Sequence, residues 1–250
     1  MDIATHIAAL RGNGIDLADA AEKAGLDAPV PSCPDWRVRD LVAHTGGVHR
    51  WAASYVTTGR REPYSEGQEK AFFDAPGDAD LLPWFRAGHA ALADAIEAAD
   101  PGLDCLAFLP APSPRRFWAR RQAHETAMHR VDAQLAAGFE ISLDPGFAAD
   151  GVGELFGGFL ARRGASIATD APVRIAVRAT DADCAWTITF EPGSRERVTV
   201  PAAEPADLLL TGPAADLYLL LWNRGGTGRI ALDGDAALLD RWREGIKIIL

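Results

Sequence analysis

The spacing of apolar residues changes character once along this chain, close to Pro145. That single change divides the sequence into a helical half and a half that alternates. Before it, Ile3, Ile7, Ala8 and Leu10, then Ile15, Leu17 and Ala21, follow helical spacing that Gly12 and Gly14 break. Ser32-Cys33-Pro34-Asp35 has the form of a helix start. Ser32 suits the cap, Pro34 the first turn, and Asp35 stands three residues on, as in a capping box. Val38, Leu41, Val42, Thr45, Val48, Ala52 and Tyr55 then carry a second helix to Gly59. Residues 60–77 are polar with Pro and Gly and read as a loop. Residues 81–99 form a third helix, closed by Asp100-Pro101-Gly102. After a Pro-rich loop at 110–114, Phe117, His124, Met128, Val131 and Leu135 mark a fourth. Four helices with two long connections and one shorter one predict a bundle over residues 1–140.

Residues 141–250 predict a small α+β domain. A helix is expected over 146–163. Val173-Arg174-Ile175-Ala176-Val177 and Ala185-Trp186-Thr187-Ile188-Thr189-Phe190 alternate as strands, and Glu191-Pro192-Gly193-Ser194 is a turn. Residues 197–200, 208–210 and 230–232 are shorter strand candidates in an antiparallel or mixed sheet. Helices are expected over 213–222 and 235–248.

Thirty-five acidic against 25 basic residues leave a net charge of -10. Phosphate recognition needs clustered Lys and Arg, so nucleic acid and anionic membrane surfaces are excluded as partners. The first residues lack a basic and apolar leader, and the most apolar run, 217–222, is too short to span a bilayer. Cys33, Cys105 and Cys184 are odd in number and widely spaced, which predicts reduced thiols and a cytoplasmic protein.

The fourth helix contains His124-Glu125-Thr126-Ala127-Met128-His129. This is not the zinc-protease motif, because two His five apart lie ~140° apart around a helix. Glu125 and His129 are offset by only ~40°, so both reach one ion. Asp132 follows one turn later on the same flank. A third ligand has to come from another helix, and the second helix offers His44 and His49, between which period alone does not choose. Two imidazoles and a carboxylate suit Zn²⁺, with Fe²⁺ and Ni²⁺ also admitted, and leave a coordination position open. His6, His49, His89 and His124 read as surface or core-edge residues, and Trp51, Trp84 and Trp118 as core.

Two segments, Cys33-Pro34-Asp35-Trp36-Arg37-Val38-Arg39-Asp40-Leu41-Val42-Ala43-His44 and Glu125-Thr126-Ala127-Met128-His129-Arg130-Val131-Asp132, resemble motifs of the mycothiol-dependent maleylpyruvate isomerase family. Leu219-Leu220-Leu221-Trp222-Asn223-Arg224 is similar to a recurrent segment of its C-terminal domain. The resemblance implies a DinB-like metal-binding bundle followed by a sterol-carrier-like domain. It implies His44, Glu125 and His129 as metal ligands, acting in catalysis through the metal, and mycothiol as thiol cosubstrate. In such chemistry a thiolate adds to a cis double bond, the new single bond rotates, and elimination returns the trans alkene with the thiol regenerated. Asp132 is expected to orient a ligand His. Arg121 and Arg224 are the expected contacts for a carboxylate substrate or the thiol. A thiol transferase is the sister reaction. A metal-dependent hydrolase on the same triad, or a small-molecule or lipid binder with a structural metal, is the alternative. A monomer or homodimer is expected.

Overall fold

A computed structural model of the chain describes residues 1–161, 167–193, 197–200 and 205–247. It separates into two compact units, residues 1–141 and 142–250. The helical half holds α1 (Ile3–Ala24), α2 (Val38–Thr58), the short α3 (Glu66–Lys70), α4 (Asp78–Ala98) and α5 (Pro114–Ala136). The four long helices form a ring in which α5 packs against α1 and α2, and α4 packs against both from the other side.

Three sequence expectations shift. Helix α1 runs unbroken through both glycines, because Gly14 is where the helix meets His89. A Cβ there would come within 2.4 Å of three ring atoms. Helix α2 starts at Val38, not near Ser32, since residues 30–36 are locked in tight turns. Val30 N–H donates to the Trp36 carbonyl, and Trp36 N–H to the Cys33 carbonyl. Asp40, not Asp35, accepts the Arg37 N–H at the helix start, at 2.8 Å. Ser32 therefore caps nothing and is released for another contact. Finally, the loop at 60–77 contains α3 and a 3₁₀ turn, Ala71–Phe73.

Helix α5 is buried along nearly its whole length although its composition is polar. Arg121, Gln122, His124, Glu125, Thr126, His129, Arg130 and Asp132 are all buried. Buried polar groups carry a desolvation cost unless paired, so this is the helix in which function is to be sought.

The second unit holds α6 (Pro145–Glu154) with a π-helical turn (Leu155–Phe159), β1 (Val173–Ala179), β2 (Ala185–Phe190), β3 (Arg197–Val200), β4 (Leu208–Gly212), α7 (Ala214–Leu221), β5 (Ala231–Gly234) and α8 (Ala237–Gly245). The helix expected over 146–163 ends at Glu154 and its last residues lie outside the described set, as does the end of the one expected to 248. The sheet order is β3-β2-β1-β4-β5. It is mixed: β1 pairs antiparallel with β2 and parallel with β4, with Ile175 opposite both Ile188 and Leu208. Phe190, Leu208 and Leu210 are buried, and Trp242 of α8 stacks on Phe156 at 5.9 Å. No helix among the described residues is long and apolar enough to cross a membrane.

Candidate metal centre

Four charged side chains follow one another down a single face of α5, one turn apart and alternating in sign. Arg121 Nη2 lies 3.2 Å from Glu125 Oε2. Glu125 Oε1 lies 3.2 Å from His129 Nε2. His129 Nδ1 lies 2.9 Å from Asp132 Oδ2. The spacing i, i+4, i+8, i+11 is the one that stacks side chains on a helix. Arg121 and Asp132 are wholly buried, and Glu125 and His129 nearly so.

His44 of α2 faces this ladder. Its Nε2 is 3.8 Å from the same Glu125 Oε1 that His129 approaches. One ligand atom from each of the three lies within 4.8 Å of the others. Metal–nitrogen and metal–oxygen bonds of ~2.1 Å in a tetrahedron put donor atoms ~3.4 Å apart. The two measured edges, 3.2 and 3.8 Å, bracket that separation. The residues present therefore fit a divalent cation bound by two imidazoles and one carboxylate oxygen.

Electrostatics point the same way. Burial raises the Glu125 carboxyl, but the facing imidazoles of His129 and His44 and the charge of Arg121 outweigh it and hold the group well below the usual carboxylate range. Burial lowers His129, yet Asp132 and Glu125 outweigh it and lift the imidazole to about 9. Two carboxylates thus hold positive charge between them at the position where a cation fits.

The surroundings fix the geometry. Ser32, freed from the helix start, donates its hydroxyl to Asp132 Oδ1. Trp36 lies 4.9 Å from the His44 ring and 6.1 Å from His129, nearly parallel to the latter. His49, five residues after His44, lies on another face. It is completely buried, with Nε2 2.9 Å from Thr126 Oγ1 and its ring 5.2 Å from His89. Burial, and next His89, pull its basicity well down. His6, His89 and His124 are buried too, where surface or core-edge places were expected. His49 is thus absent from the three-residue cluster, and His44 is the α2 member of it.

Arg121, expected at a substrate, donates instead to Glu125 from full burial. Arg224 belongs to the other unit. It follows Asn223, whose φ of 61° turns the chain out of α7, and donates to the Trp222 carbonyl at 2.8 Å. Ser32 was missed because its pattern imitates a cap. Phe73, whose ring is 6.0 Å from His44, lies in a segment with no periodic signal.

Comparison with known proteins gives a consistent set of likenesses. A family model described as "Mycothiol maleylpyruvate isomerase N-terminal domain" matches residues 7–134, and one described as "MDMPI C-terminal domain" matches residues 146–241. Among solved structures, a histidine-to-alanine mutant of the mycothiol-dependent maleylpyruvate isomerase superposes with a TM-score of 0.64 at 15% identity. That match covers 94% of this chain and 95% of the other. A second structure titled as that isomerase gives 0.62 at 14%, with the same coverage. No curated protein matches the sequence.

Proposed function

The chain belongs to the mycothiol maleylpyruvate isomerase family, and from that premise we propose that it is a metal-dependent isomerase. It works with a low-molecular-weight thiol, mycothiol, on a small unsaturated substrate bearing a carboxylate. The observation that carries this reading is the convergence of His44 and His129 on one oxygen of Glu125. A cation held by these three, zinc by its donor preference, supplies the positive charge that keeps a thiol ionised near neutral pH, where a free thiol of pKa ~8.5 is mostly protonated.

Each remaining role belongs to the protein. Asp132 accepts a hydrogen bond from His129 Nδ1, so the proton that a bound cation would displace is the one on Nε2, the nitrogen that faces Glu125 Oε1. Ser32 occupies the other Asp132 oxygen and prevents its rotation. Arg121 engages Glu125 Oε2, so Oε1 alone is presented toward the imidazoles. Trp36 lies against the two imidazoles on one side and limits how far either ring can turn.

The reading is tested by metal analysis of purified protein together with cis–trans isomerisation of an unsaturated keto acid, followed by ultraviolet absorbance. About one equivalent of metal and turnover that needs both metal and mycothiol are expected. Undiminished turnover after chelation would overturn the proposal, and ester or amide cleavage without thiol would select the hydrolase reading. Asp132→Asn is expected to weaken zinc binding roughly 10- to 100-fold in competition with a chromophoric chelator. Unchanged affinity would reduce Asp132 to a packing role.

A further inference from the structure

Helix α2 carries two consecutive glycines, Gly46 and Gly47, buried at mid-helix. A glycine there costs about 1 kcal/mol relative to alanine, so something must need the space. The two positions differ in what fills it. A Cβ on Gly46 would strike the ring of Trp84, a residue packed against the bundle core. A Cβ on Gly47 would come within 2.4 Å of the ring of Phe73, which is 40% exposed and adds little to the core.

Phe73 ends the 3₁₀ turn of the loop between α2 and α4, and its ring centroid lies 6.0 Å from that of His44. Trp36 approaches the same imidazole at 4.9 Å. The His44 side chain is 22% exposed, against 9% for His129 and 6% for Glu125. Solvent therefore reaches the cluster at its His44 edge, and Phe73 and Trp36 are the aromatic rings beside that edge. A helix that gives up stability to seat an exposed ring at this edge is shaped for what enters there, not for packing.

We infer that Phe73, seated on Gly47, is a specificity-determining residue, forming with Trp36 the aromatic walls that select a flat unsaturated acid over a saturated one. The inference rests on the isomerase reading for its substrate class. Offset stacking between flat π systems at centroid distances of ~4.5–7 Å adds roughly a three- to ten-fold gain in affinity beyond area burial. A puckered saturated chain of equal length gains no such term.

The test uses the zinc-loaded full chain, titrated calorimetrically with sorbate, a flat dienoic acid, and with hexanoate, its saturated counterpart. The unmodified protein is expected to bind sorbate roughly three- to ten-fold more tightly. Phe73→Ala is expected to abolish that preference with zinc content unchanged. Gly47→Ala displaces the ring while improving helix propensity, so it should keep or raise the melting temperature and lose the same preference. In turnover, both variants should raise KM for the unsaturated substrate and leave KM for the thiol alone. Equal binding of the two acids by the unmodified protein, or a preference that survives both substitutions, overturns the inference. A shift in thiol KM instead overturns the choice of occupant. If the unmodified protein shows no thiol-dependent turnover, the isomerase reading fails separately, and the sorbate preference still decides whether the walls exist.

Discussion

Glu125→Ala is expected to strip the chain of its metal and to destabilise the metal-free fold by about 3–5 kcal/mol. The two losses have separate causes. Glu125 supplies the only carboxylate oxygen of the proposed triad, and both imidazoles are aimed at it. It is also the negative group between Arg121 and His129, in a helix face where all three are buried. Removing one member of a buried ion cluster leaves its partners desolvated without their counter-charge, which costs more than the interaction itself contributes. The experiment is urea denaturation of both proteins in chelator, so that metal linkage cannot enter, followed by zinc titration of each. Equal stability without metal would show that Arg121 and His129 do not depend on Glu125, and the account of this buried cluster would fail.

His44→Ala is the contrasting case. Its side chain is partly exposed, and two of the rings beside it, Trp36 and Phe73, are themselves partly or largely exposed. Truncation should cost the metal-free fold only about 1 kcal/mol or less. Zinc affinity and thiol-dependent turnover should fall by more than the roughly 100-fold typical of losing a residue that merely supports a ligand. His49→Ala serves as the comparison, since His49 is completely buried against Thr126, His89 and Phe85. It should lose stability while still binding zinc. If the two variants exchange behaviours, the ligand on α2 has been assigned to the wrong histidine.

That assignment also shows where sequence reasoning stops. Glu125 and His129 share a helix, so their meeting follows from a repeat of 3.6 residues and needs no knowledge of the tertiary fold. His44 and His49 both stand on α2, and which of them meets α5 depends on which neighbour each face of α2 receives. Helix order around a bundle is not written in the period of any one helix. The resemblance to a family motif supplied what the period did not. The start of α2 was misplaced for a related reason. Ser32, Pro34 and Asp35 satisfy the local rule for a helix start, but turn hydrogen bonds within 30–36 hold that segment in another shape. The serine then serves Asp132, a hundred residues away in sequence. Phe73 was invisible because a three-residue turn has no periodicity, and its partner Gly47 reads on its own only as a weak point in a helix.

The polar, buried character of α5 has a consequence for how this protein would respond to engineering. Well-packed aliphatic side chains often stabilise an interior more than a buried ion cluster of similar volume does. Directed evolution for heat resistance alone should therefore favour clones in which 121, 125, 129 and 132 are replaced together by apolar residues, since losing one member alone strands the others. Such clones would survive boiling better than their parent and do nothing for the cell that makes them. A screen that rewards chemistry alongside endurance would have to find its gains on other helices.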